Sequence, residues 1–118
     1  MDFQRNQDSS DPLSIGVKPM IKEWLKEMNI ESYKIRDNLT IDVLDDVNLK
    51  DKDLKELPEF IQFNIAYRGF YASGNMFETL RGFPRIIIDD FSIKGNMFKY
   101  FSEKEIRESC HIKGEIYN

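Results

Sequence analysis

One cysteine and one histidine, adjacent at Cys110 and His111, are the whole stock of thiol and imidazole in these 118 residues. A single thiol closes no internal disulfide and builds no cysteine-rich metal cage, which fits a reducing cytoplasm. Adjacent residues on a helix point about 100° apart, so the two do not form a thiolate–imidazolium pair. Cys110 lies four positions after Ile106 on an apolar face and reads as a small core residue. Long apolar runs are missing too. The longest span three residues, as in Ile86-Ile87-Ile88, against the roughly 20 that cross a bilayer. The opening MDFQRNQDSSDP has neither the basic start nor the apolar stretch of a secretory signal. An excess of one charge is also lacking. Seventeen Lys and Arg against 21 Asp and Glu leave a net charge of -4, too mild for bulk attraction to nucleic-acid backbones or anionic membranes. No catalytic residue, metal ligand, cofactor or small-molecule substrate is therefore assigned, and a cytoplasmic protein without membrane partners is expected.

What is present points to one globular domain, with 41% hydrophobic and 13% aromatic residues. Residues 1–18 are polar and without apolar period, and read as a flexible tail ahead of a single domain at 19–118. From Pro19 the pattern changes: Ile21, Trp24, Leu25 and Met28 share one helical face, predicting a helix over about 19–29. Tyr33 and Ile35, then Leu39, Ile41 and Val43, alternate with polar residues around Asp37-Asn38 as a β-hairpin does. Ser102 with Glu105 forms a capping box, and Phe101 with Ile106 a hydrophobic staple, so a short helix should run from Glu103 to near Cys110. An extended segment, HIKGEIYN, closes the chain.

The middle repeats itself. Aligning Val47, Phe70 and Phe91 gives steps of 23 and 21 residues, and the apolar columns coincide. They are Val47, Phe70, Phe91; Leu49, Ala72, Ile93; Leu54, Phe77, Phe98; and Leu57, Leu80, Phe101. This period and the L-x-L-x-x-N-x-L-x-x-L shape are the signature of leucine-rich repeats. Asn75 and Asn96 stand where a buried amide side chain satisfies backbone groups as the chain leaves a strand, with Gly74 and Gly95 giving a tight backbone before them. Lys52 replaces the asparagine in the first unit, as expected of a terminal coil. The predicted fold is α+β: a short leucine-rich-repeat-like β-solenoid of two to three coils, capped by the helix plus hairpin and by the C-terminal helix plus strand.

The stretches NLTIDVLDDVNLKDKDLKELP, FYASGNMFETLRGFP, IIIDDFSIKGN and FSEKEIRESCHIKGEIY resemble small leucine-rich-repeat-like proteins of large tailed bacteriophages. The resemblance covers about residues 20–118. It implies the same capped solenoid and no catalytic motif. Ala72 and Ile93 stand where that family commonly has cysteine, and only two clear copies of its unit occur. What the resemblance implies about function is an inhibitor-like protein in the cytoplasm of an infected bacterium, acting on a host protein or defence factor.

Three surfaces are candidates. On the outer face of the repeat strands, Tyr71 should stand with Ser73, Ser92 and Lys94, and with Asn48 and Lys50, where repeat proteins usually bind partners. The same face suits a solvated sheet equally well. The acidic stretch from Asp37 to Glu59, eight carboxylates against three lysines, lacks the glycine and final glutamate of a calcium loop. It reads first as a solvated edge that discourages strand addition, with nucleic-acid mimicry behind it. The aromatics Tyr67, Phe70, Phe77, Phe83, Phe91, Phe98, Tyr100 and Phe101 read as core rather than as a base-stacking platform. A non-enzymatic protein-binding module is the preferred function. Nucleic-acid binding or mimicry, or a minor virion component, are the alternatives.

Overall fold

The computed structural model describes residues 12–118, with side chains from Gly16 onward. Helix α1 (Pro12–Glu27) buries Ile21, Trp24 and Leu25 on one stripe, with Val17 and Met28 half-buried beside them. It begins seven residues before the expected Pro19, which lies inside the helix. Pro12 offers the same advantage at a first turn, and Pro19 faces solvent where one missing N–H bond is tolerable. The expected tail of 18 residues is thus helical over 12–18, and its first 11 residues lie outside the described region. At the other end Asn29 takes φ 59° while Ile30 N–H donates to Leu25 and Asn29 N–H to Lys26. This is a Schellman stop, sealed by the buried pair Leu25 and Ile30.

The hairpin forms as expected between β1 (Tyr33–Ile35) and β2 (Ile41–Val43), antiparallel and in the register Tyr33 to Val43. Asn38 shapes its turn by accepting from Thr40 N–H and Thr40 Oγ1, and Leu39 adopts φ 70°. Strand β2 has a second partner. It is the first of four parallel rungs, continued by β4 (Phe63–Ala66), β6 (Ile86–Ile87) and β8 (His111–Ile112). A second sheet stacks β3 (Val47–Asn48), β5 (Phe70–Tyr71), β7 (Phe91–Ser92) and β9 (Ile116–Tyr117) in the same order. Each coil therefore carries two short strands joined by a three-residue corner, where sequence periodicity disclosed only the second. Two-residue strands such as Ile86–Ile87 are too short to show alternation.

Between rungs, the chain returns through 49–62, 72–85 and 93–110, and the last of these holds α2 (Glu103–Ser109). Its capping box is complete: Glu105 N–H donates to Ser102 Oγ at 3.1 Å and Ser102 N–H to Glu105 Oε1 at 3.3 Å. The expected staple residues Phe101 and Ile106 are both buried.

The inward columns form the core. Val47, Phe70 and Phe91 stack in register, as do Leu49, Ala72 and Ile93 on the following residues. Phe63, Phe70, Phe83, Phe77 and Phe91 make a continuous aromatic spine with centroids 5.0 to 6.3 Å apart, and Trp24 joins it over Phe63 at 6.3 Å. Three aromatics expected in the core are outside it. Phe98 is 59% exposed, and Tyr67 and Tyr100 are also on the surface. Phe98 lies in the last returning segment, and no further returning segment stacks beyond it among the described residues; Leu54 and Phe77, its column mates, have one. Tyr67 stands at a corner, outside the columns.

Candidate functional site

The two asparagines turn each coil into a platform. Asn75 is fully buried and reaches back into the first coil, accepting from Lys52 and Leu54 N–H at 3.0 Å each. Its amide donates to Leu49 O at 2.8 Å and Ala72 O at 3.0 Å. Asn75 thereby serves the coil that lacks its own asparagine. Asn96, half-buried, repeats the motif by bonding Phe77 N–H and C=O and Lys99 O. Just before them, Gly74 and Gly95 take φ 71° and 73°, and Asp51 fills the same column at φ 55°. A left-handed turn at one height of the first three coils keeps the strands of the second sheet aligned, so its outer face is a fixed surface.

On that face two rows run across the coils. Register sets Asn48, Tyr71, Ser92 and Tyr117 side by side. Ladder bonds from Asp51 to Ser73 and from Gly74 to Lys94 align Lys50, Ser73 and Lys94 in the next row. All six predicted face residues thus share one surface. Their exposure differs: Asn48, Lys50 and Lys94 are exposed, Tyr71 and Ser73 half-buried, and Ser92 only 8% exposed. Ser92 departs from expectation because a short side chain between two tyrosines sinks below them. Asn48 is partly occupied by its own turn, accepting from Lys50 N–H. Tyr117 is the member that sequence reading missed, since the fourth rung carries no repeat motif.

Tyr71 folds back over the corner, where a Cβ on Gly69 would collide with its ring. Desolvation and the nearby charges of Asp46, Asp90 and Asp89 raise its phenol above the ordinary 10.0. A neutral, packed tyrosine flanked by a serine and two lysines offers apolar area with a polar rim, the makeup of a contact centre.

The rival sites separate. Cys110 is buried and desolvation pushes its thiol up to about 12, while neighbouring His111 faces solvent. Of the eight carboxylates between Asp37 and Glu59, only Asp42 is buried, paired to Arg36 at 2.8 Å and bonded by Asn64 at 3.0 Å. The other seven are exposed, Asp37 in the hairpin turn and the rest along the first coil. Among the described residues no group of three His, Cys, Asp or Glu side chains converges as a metal site, and no helix is long and apolar enough to cross a membrane.

A further row was legible and overlooked. Stepping three residues back from Val47, Phe70 and Phe91 gives Leu44, Tyr67 and Ile88, exposed at the corner between the sheets. No family model, curated protein or solved structure matches the chain.

Proposed function

We propose that the chain is a non-enzymatic protein-binding module whose contact surface is the outer face of β3, β5, β7 and β9, centred on Tyr71. The observation that carries this reading is the alignment of Asn48, Tyr71 and Tyr117 in one row and Lys50, Ser73 and Lys94 in the next, on a backbone fixed by the buried Asn75 and the half-buried Asn96. A preorganised surface loses little freedom on binding. The phage-like repeat pattern makes a bacterial host protein the target, inhibited or redirected in the cytoplasm of the infected cell. No catalytic step or cofactor is involved.

Affinity capture from bacterial lysate, with and without nuclease, tests this. The wild-type chain should retain a protein that a Tyr71→Ala, Lys94→Glu double variant does not, whether or not nuclease is added. Capture that disappears with nuclease, or that both forms share, refutes the proposal. The exposed carboxylates of residues 37–59 favour a second reading, mimicry of a nucleic-acid backbone. In that case DNA or RNA would compete for the captured protein and binding would fall steeply with salt.

A further inference from the structure

The corner between the two sheets bears on what kind of protein is bound. Leu44 is 54% exposed, Tyr67 46% and Ile88 38%, all at one position of three successive coils. Scattered apolar residues on a surface need no explanation, but a row held in register by the ladder is different. The bonds Tyr67 N–H to Val43 O and Ile88 N–H to Ala66 O continue the first sheet into this corner. Rungs about 4.8 Å apart make the row roughly 10 Å long, the span of about three residues of extended chain. The fourth rung replaces the apolar residue with Lys113, which ends the row.

Carboxylates flank it. The same corners carry Asp45 and Asp46 in the first coil and Asp89 and Asp90 in the third, against one cation, Arg68, in the second. Asp46 and Asp90 are fixed by accepting from Gly69 N–H and Glu115 N–H, each at 2.8 Å. A bound carboxylate keeps acceptor sites to spare, and Asp45, Asp46 and Asp89 are exposed while Asp90 is half-buried. An apolar row edged by carboxylates held in place complements a segment with the opposite charge and its own apolar anchors. Both acidic partners and bare apolar surfaces fit it less well.

We propose that this corner is a docking strip for a short basic protein segment, its apolar side chains resting on Leu44, Tyr67 and Ile88 and its cations meeting Asp45, Asp46, Asp89 and Asp90. The inference rests on the protein-binding reading and names the chemistry of the partner. It also extends the contact surface around the corner from Tyr71.

Amide chemical-shift titration of the full chain tests it with two probes: acetyl-Lys-Phe-Arg-Leu-Lys-amide, and the same peptide with every cation replaced by glutamate. The basic probe should shift residues 44–46, 67–71 and 88–90 and bind at least about tenfold tighter than the acidic one. Sodium chloride at about 0.5 M should weaken it. A Leu44→Ser, Ile88→Ser variant and an Asp45→Asn, Asp89→Asn variant, all at exposed positions, should each lose most of the binding while keeping the wild-type spectrum elsewhere. Equal affinity for both probes, or shifts centred on residues 51–59, overturns the inference and leaves the protein-binding reading standing. Absence of shifts with either probe overturns it as well. The capture experiment then judges the wider reading independently, because it turns on Tyr71 and Lys94.

Discussion

At the scale of single residues, a few polar groups inside the coils tie an otherwise apolar core to its backbone. Asn75 bonds the backbone of two coils from a fully buried position, whereas Asn96 is half-buried and serves fewer groups. Each orphaned buried group costs about 1–3 kcal/mol, so Asn75→Ala should lower unfolding stability by about 3 kcal/mol and Asn96→Ala by about 1. Denaturant titration checks the order, and equal losses would reject the division of labour. Asp51 holds the left-handed backbone that glycine holds in the next two coils, so Asp51→Gly should be neutral or stabilising by up to about 1 kcal/mol. Gly74→Ala should destabilise, since its φ is positive and a Cβ there meets Asp51. Asp42 adds a dependence on pH. Burial alone would raise its carboxyl, yet bonds from Arg36 and Asn64 and the guanidinium charge hold it below the ordinary 3.8. A lowered folded value means that this stabilisation is complete above 3.8 and is lost as pH falls through the folded value. Asp42→Asn should therefore be less stable than wild type near neutrality, and the gap should close in acid. A constant gap across the acid range would contradict the pairing.

Among the elements, α1 and the hairpin cover one end of the array, and Trp24 is the side chain that ties the helix to the aromatic spine. Trp24→Ser should cost about 3–5 kcal/mol and promote aggregation by baring the first coil. A monomeric variant with an unchanged melting curve would show that α1 is not a cap. Much of this level was legible in the sequence because it rests on local signals. Helical spacing at Ile21, Trp24 and Leu25, the Asp37-Asn38 turn and the Ser102–Glu105 box each have one dominant local cause. The earlier start of α1 and the β2–β4–β6–β8 sheet were hidden for the opposite reason. Pro12 and Pro19 look equally fit for a first turn, and strands of two to four residues are fixed by stacking on neighbours. Burial of Ser92 and exposure of Phe98 likewise depend on what lies on the adjacent rung.

As a whole, residues 41–117 form a short stack of four paired rungs, and such stacking keeps whole surfaces in line. Six members of the face around Tyr71 were legible because alternation along a strand dictates which side chains point outward, whereas Tyr117, on a rung without the repeat motif, was not. The apolar corner went unread because Leu44, Tyr67 and Ile88 lie outside the aligned columns, and Tyr67 read as core. The face around Tyr71 should bind a protein without being needed for folding. The most direct test is isothermal titration of the captured partner against wild type and Tyr71→Ala, Lys94→Glu, with thermal melts of both. Binding should weaken by about 100-fold or more while stability falls by only about 1 kcal/mol, the cost of truncating a half-buried ring. Undiminished affinity in the double variant, with loss only on neutralising Asp51, Asp53 and Glu56, would contradict it.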